Sequence, residues 1–281
     1  MGILLDCHSH SSYSFDAHDS LEAMCEQAIK LGLQAYAVTD HCECNGYYDA
    51  QHYGKQPNEF EVFGCAKTTQ MSIEHTTRLK EKLDGKLNLI CGVELGQATF
   101  DLEAAENVVC DKRLDYVIAS MHQLPNTLDF YFLKYEDPSK VPAMMYAYYE
   151  EILKLCQWGK FDTLAHLTYP LRYIEGEHAI KADLRNCREL TTEILRTLAQ
   201  KGKSLEINTS GYRQKYGKAF PEAEHLKMFR EFGGEFISLG ADSHRTSDIA
   251  AGILDGIEFA KNAGFKYAVY YREHEPKAIK L

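Results

Sequence analysis

Eight short apolar runs, near residues 3–7, 35–39, 87–93, 115–120, 162–166, 204–208, 236–240 and 266–271, alternate with helix-period segments near 19–31, 66–84, 140–158, 183–201, 222–232 and 248–263. Runs of this length, rich in branched and aromatic residues, are buried strands; strands separated by helices pair in parallel, because a parallel crossover needs a dozen or more residues. The order βαβα therefore predicts an α/β protein with a parallel sheet. Asp19 with Glu22 three residues on, Asp183 before Leu184, and Pro221 before Glu222 read as helix starts. Glycines 32, 202, 233 and 264 fall where those helices should stop.

The residues just past the strands are more telling. Asp6-Cys7-His8-Ser9-His10 ends the first run, and two histidines spaced i, i+2 on extended chain point to the same side. An H-x-H pair alone carries little, but the pattern repeats. His41 follows Ala35–Val38, Glu94 follows Leu89–Val93, His122 follows Tyr116–Ala119, His166 follows Thr163–Ala165, and Asp242 and His244 follow Phe236–Gly240. With Asp16 these make nine candidate metal ligands: His8, His10, Asp16, His41, Glu94, His122, His166, Asp242 and His244. One ion cannot use nine, so two or three divalent metals with a bridging carboxylate are expected. In a closed α/β barrel catalytic groups gather at the C-terminal ends of the strands, which favours a barrel over an open sheet. The remaining histidines, 18, 52, 75, 178, 225 and 274, fall in helices or loops; His18 and His52 lie in loops on the active face.

At 281 residues and 45% hydrophobic, the chain suits one large barrel, a single domain over 1–281 with no linker. Its net charge of -10 argues against nucleic acid polymers and anionic membranes as partners, so a small anionic substrate needs a local positive site. The first apolar run is too short for a signal peptide, and no stretch approaches the roughly 18 apolar residues of a membrane span. A cytoplasmic protein is expected. The nine cysteines are scattered without a C-x-x-C pair and read as reduced core thiols, with Cys42 and Cys44 close to His41.

The order H-S-H at 8–10, Asp16, T-D-H at 39–41, G-V-E at 92–94, S-M-H at 120–122, Ala165-His166 and A-D-S-H at 241–244 resembles the polymerase and histidinol phosphatase (PHP) superfamily over nearly the whole chain. The resemblance implies a distorted (β/α)7 TIM-like barrel with a trinuclear metal site. On that pattern His8, His10, Glu94 and Asp242 would hold one metal, Asp16, His41 and His244 a second, and Glu94, His122 and His166 a third. Some members carry histidine where this chain has Asp16, a change that tilts the second site toward iron or manganese over zinc. The segments 120–133 and 206–211 resemble histidinol-phosphate phosphatases of the HisJ type within that superfamily.

The resulting expectation is a hydrolase, a phosphomonoesterase converting L-histidinol phosphate to L-histidinol and phosphate in histidine biosynthesis, with Glu94, Asp242 and His244 catalytic and Mn, Fe or Zn as cofactors. Metal coordination lowers the pKa of water from about 16 to about 7, so a metal-bridging hydroxide can attack phosphorus without a separate base. Arg172, six residues after His166, and Arg213, five after Asn208, are the candidate phosphate clamps. Asp40 is a candidate support for a ligand imidazole. The long loop 44–70 is a candidate lid, and Glu43, Tyr47 and Tyr48 are candidate partners for a cationic substrate group. Two rival readings stand beside this one: a PHP-type phosphoesterase acting on nucleotides or other small phosphate esters, and a non-catalytic metal-binding structural module. A metal-dependent amidohydrolase would usually carry a bridging lysine after the fourth strand, and none lies near His122.

Overall fold

In the computed structural model, which describes residues 5–45 and 67–281, the apolar runs up to residue 240 become parallel strands. They are β1 (Leu5–Asp6), β2 (Ala35–Val38), β3 (His41–Glu43), β4 (Leu89–Gly96), β5 (Tyr116–Ser120), β6 (Thr163–Leu164), β7 (Ser204–Asn208) and β8 (Ile237–Gly240). The order is β1-β2-β4-β5-β6-β7-β8, and β3, which resumes after β2, also pairs with β4. Cys7 N donates to Leu239 O and Asp242 N to His8 O, each at 2.8 Å, and a parallel bridge joins Ser9 to Ser243. These bonds bring β1 back against β8. With β2 and β3 taken as one interrupted strand, the result is the distorted (β/α)7 TIM-like barrel expected from the sequence. The distortion lies in that interruption and in β1 and β6, which have two residues each.

The strands β1, β2 and β4–β8 are buried along their whole length. Outside them run α1 (Leu21–Leu31), α2 (Lys67–Lys82), α3 (Leu102–Val109), α4 (Val141–Trp158), α5 (Arg188–Gln200), α6 (Ala223–Glu231) and α7 (Ile253–Asn262). Burial on α4 falls on Val141, Met145, Tyr148, Tyr149, Ile152, Leu155 and Cys156, the stripe of a helix lying on a sheet. Helix α3 is not among the helices expected from the sequence and is one of the shortest; Asp101 caps it by accepting from Ala104 N at 3.0 Å. The start of α1 also lies one residue beyond the expected Asp19. Ser20 is the cap there, accepting from Ala23 N, while the Asp19 carboxylate accepts from Thr246 N at 2.6 Å and ties the loop after β8 to the loop after β1. Gly32 ends α1 at φ 70°, a left-handed turn that suits glycine.

The eighth apolar run does not join the ring. β9 (Tyr267–Arg272) pairs antiparallel with β10 (Glu275–Lys280). This hairpin covers the end of the barrel where the strands begin. Tyr271 shares a 2.6 Å hydrogen bond with Ser204 and stacks on Tyr116, with ring centroids 5.4 Å apart. His274 N donates to Asp115 O and His274 Nδ1 donates to Asp162 Oδ2, both at 2.9 Å. Ser204, Asp115 with Tyr116, and Asp162 stand at the starts of β7, β5 and β6, so the hairpin seals the floor opposite the predicted ligands.

The hydrogen bond to Asp162 raises the His274 pKa against the smaller opposing effect of burial. A raised folded-state pKa contributes stability that is fully present below the ordinary histidine value and is lost as pH rises through the folded value. His274→Asn should therefore lower the melting temperature more at pH 6 than at pH 9. An equal decrement at both pH values would show that the pair does not act through charge.

Cys7, Cys25, Cys44, Cys91, Cys156 and Cys187 are buried and outside any disulfide, as expected of core thiols, whereas Cys110, also outside any disulfide, is exposed. Cys42 is disulfide-bonded, against the reading of it as a reduced thiol. Among the described residues no helix is long and apolar enough to cross a membrane.

Candidate metal centre

All nine predicted ligands meet at the C-terminal mouth of the barrel, and Glu94 is at their centre. It sits near the end of β4, buried, because residues 92, 94 and 96 of that strand face the barrel axis while Val93 and Leu95 pack in the apolar core. Its Oε2 lies 2.8 Å from His41 Nδ1 and 3.5 Å from the Nε2 atoms of both His8 and His10. Its Oε1 lies 3.2 Å from His122 Nε2 and 3.0 Å from His166 Nε2. Asp242 Oδ1 stands 3.5 Å from His10 Nε2, 3.9 Å from His8 Nε2 and 3.6 Å from His244 Nδ1. At the outer edge Asp16 Oδ2 is 3.1 Å from His244 Nε2 and 3.6 Å from His41 Nε2.

Electrostatics reflect this crowding. Burial alone would raise the Glu94 carboxyl, but His122, His8 and His41 outweigh it and hold it well below the usual carboxylate range. Burial likewise works against a charged His8, and Glu206, Glu94 and Asp242 reverse that and raise it. His10 goes the other way: burial, with His244 and His41 as like charges, pulls it down to about 3.

The donor set fits divalent ions. His8 Nε2 and His10 Nε2 are buried with no hydrogen-bond partner, and a buried polar atom left unpaired costs about 1–3 kcal/mol. At the mouth, among the described residues, four triads have ligand atoms within 4.8 Å of one another: His8/His10/Asp242, His8/Glu94/His166, His10/His41/His244 and His41/Glu43/His122; a fifth such group, Glu222/Glu224/His225, lies away from them at the start of α6. Mixed imidazole and carboxylate donors of this kind suit zinc, iron or manganese. Several ions can be held here.

Two acidic residues belong to the cluster in ways the sequence reading did not assign. Glu43, expected to meet a substrate cation, instead lies against the histidines, its Oε1 3.1 Å from His122 Nδ1 and 3.3 Å from His41 Nδ1. Burial opposes its ionisation, yet His122 brings its carboxyl down to about 2. The signal was present, since residues 41 and 43 of a strand point the same way. Asp40, read as a support, accepts from Ser11 N (2.6 Å), Ser11 Oγ (2.8 Å), Ser14 Oγ (2.8 Å) and Ser72 Oγ (2.6 Å), and Ser14 Oγ in turn meets His10 Nδ1 at 3.1 Å. Asp40 thus fixes the β1 loop that carries His10.

The cluster forms one wall of a cavity of about 1220 Å³, shared with Phe15, Tyr131, Tyr169, Arg172, Arg213 and Arg245 among others. Arg172 Nη2 donates to Asp242 Oδ2 at 2.9 Å and Ser210 Oγ at 2.8 Å, and its guanidinium lies 5.0 Å from the Tyr169 ring and 5.4 Å from Phe220. Arg213 donates from Nη1 to Ala241 O (2.6 Å) and from Nη2 to Asp242 O (2.7 Å), pinning the loop in which Asp242 takes a φ of 52°. Arg245 is largely exposed, its Nε 3.3 Å from Asp248 Oδ2. His18 also lines the cavity, whereas His52, Tyr47, Tyr48 and most of the candidate lid lie outside the described residues.

A parallel α/β barrel whose strand ends converge on histidines and carboxylates defines a class of metal-dependent hydrolase folds. The chain belongs to the PHP domain family, whose model matches residues 6–210. It is 28% identical over 264 residues to a "probable histidinol-phosphatase" of Thermotoga maritima, covering 94% of each chain. It is 27% identical to a histidinol-phosphatase of Lactococcus lactis, covering 93% of this chain and 91% of that one. The crystal structure of a histidinol phosphate phosphatase from Lactococcus lactis, complexed with zinc, L-histidinol and phosphate, superposes with a TM-score of 0.77 at 25% identity, covering 97% of this chain and 98% of that one.

Proposed function

We propose that this chain is a metal-dependent phosphomonoesterase that hydrolyses L-histidinol phosphate to L-histidinol and phosphate. The observation that carries the reading is the Glu94 carboxylate, buried and within 3.5 Å of nitrogens from five histidines. The relatives named histidinol-phosphatase, matched along almost the whole chain, support the substrate. A single domain working in the cytoplasm is part of the same proposal.

In this reading the nine residues His8, His10, Asp16, His41, Glu94, His122, His166, Asp242 and His244 hold two or three divalent ions, and Glu94, Asp242 and His244 border the reacting phosphoryl group. Bound ions of this kind supply Lewis acidity, a water of lowered pKa, and positive charge facing the phosphoryl oxygens. Arg172 brings a guanidinium, held between Tyr169 and Phe220, to the side of the cavity where Asp242 stands, and its planar fork suits a phosphoryl group. Arg213 adds charge to the same side while it holds the Asp242 loop. Phe15, Tyr131 and Tyr169, which line the same cavity, offer flat apolar surface to the imidazole of the leaving alcohol.

The test is inorganic phosphate release by manganese- or zinc-loaded protein from L-histidinol phosphate, beside a panel of nucleotide and sugar phosphates. A kcat/KM of about 10⁴ M⁻¹s⁻¹ or more on histidinol phosphate, well above the panel, is expected. Preference for a nucleotide would overturn the substrate assignment, and no turnover of any ester by metal-loaded protein would leave a structural metal module. Arg172→Met should lower kcat/KM by roughly 10–100-fold, the worth of one or two charge-assisted hydrogen bonds, and weaken inhibition by inorganic phosphate in parallel. Unchanged phosphate inhibition would remove Arg172 from the substrate site.

A further inference from the structure

β7 reads Ser204-Leu205-Glu206-Ile207-Asn208, polar at every second position, yet all five residues are buried. Leu205 and Ile207 join the apolar core, so the polar set faces the barrel interior, where each polar group needs a partner. Ser204 meets the floor hairpin. Glu206 meets the metal centre from beneath. His8 Nδ1 donates to its Oε1 at 2.7 Å, His166 N donates to its Oε2 at 2.7 Å, and Asn208 Nδ2 lies 3.3 Å from the same oxygen. Gly240 makes room for this contact, since a Cβ at that position would collide with both Glu206 Oε1 and the His8 side chain.

We propose that Glu206 is the positioning residue of the centre, holding His8 with Nε2 toward an ion and, through its second oxygen, fixing where the end of β6 presents His166. A carboxylate that accepts from Nδ1 keeps the proton on that nitrogen and leaves Nε2 with its lone pair outward, the arrangement a ligating imidazole needs. His8 Nε2 is one of the buried atoms without a hydrogen bond, as this arrangement requires. Because His8 and His166 share one triad with Glu94, and His8 shares another with His10 and Asp242, a single side chain governs two of the four ligand groups. The triad of His41, Glu43 and His122 does not touch it.

The proposal rests on the metal-centre reading, and one series of measurements separates the two. Metal content per chain and zinc affinity by chelator competition are measured for wild type and Glu206→Gln, with melting temperatures in chelator and in zinc. A glutamine keeps the size of the side chain and can accept from His8 Nδ1, but its amide nitrogen then faces the His166 N–H, donor against donor. The expected result is a 10–100-fold loss of zinc affinity at part of the centre, with the rest retained, and a narrower gap between the zinc and chelator melting temperatures. A merely structural role would lower both melting temperatures together and leave the affinity alone. Wild-type zinc content and affinity in Glu206→Gln would overturn this assignment by themselves, whereas a wild type that holds no metal would overturn the metal reading and this assignment with it. Should the variant fail to fold, a crystal structure of the zinc-loaded wild type decides: zinc on His8 Nε2 with Nδ1 against Glu206 supports the proposal, and zinc on Nδ1, or on Glu206 itself, overturns it.

Discussion

Glu94→Gln should lose phosphate release by more than about 10³-fold and leave the protein with fewer ions per chain. Removing one group that stabilises charge in a transition state commonly costs about 10²–10³-fold, and Glu94 stands against five imidazoles rather than one. Glutamine preserves shape while deleting the negative charge that His122, His8 and His41 stabilise. Its amide hydrogens would also point at nitrogens that must carry lone pairs to bind an ion. Metal analysis beside the phosphate assay distinguishes the two consequences. A variant that kept its ions and its rate would remove Glu94 from the centre of the reaction, and with it the observation on which the proposed function rests.

Chelation should lower the melting temperature by roughly 10 °C, reversibly on return of zinc or manganese. An ion present at about a thousand times its dissociation constant stabilises the folded chain by about 4 kcal/mol, and 1 kcal/mol moves the midpoint of a domain of 150–250 residues by about 2–4 °C. The mouth of the barrel concentrates His8, His10, Glu94, His166 and Asp242 in nearly complete burial, so the folded state has much to gain from ions there. A melting temperature indifferent to chelator would mean that ions, where bound, do not hold the strand ends together.

The convergence of the candidate ligands was legible because barrel geometry and sequence periodicity agree on where strands stop: His8, His41, Glu94, His122, His166 and Asp242 all stand on or just beyond the C-terminal end of an apolar run. The helices were legible where they were long enough to show a period, as in α4, and not in α3, whose eight residues depend on the Asp101 cap. Run 266–271 has the composition of a barrel strand, and only pairing decides that it folds back on β10. Glu43 was not assigned to the centre because it was grouped with the loop that follows and read as a partner for a substrate cation, and Glu206 because a carboxylate inside a strand gives no sign of which way it faces when burial of that face is unknown. Asp16 and Arg213 show the opposite limit: their types were informative, but their contacts depend on loops, and Arg213 is committed to backbone carbonyls that no spacing rule reveals.

The β9–β10 hairpin gives the reaction vessel a closed bottom. Tyr271 and His274 pack across it where the strands begin, so among the described residues the approach to the candidate ligands is from the mouth. In the proposed reaction phosphate rests against the deep ligands while the alcohol faces the rim. Approach from one side would impose a queue on that proposed reaction: the alcohol would depart first, phosphate second, and phosphate left behind would block the next arrival.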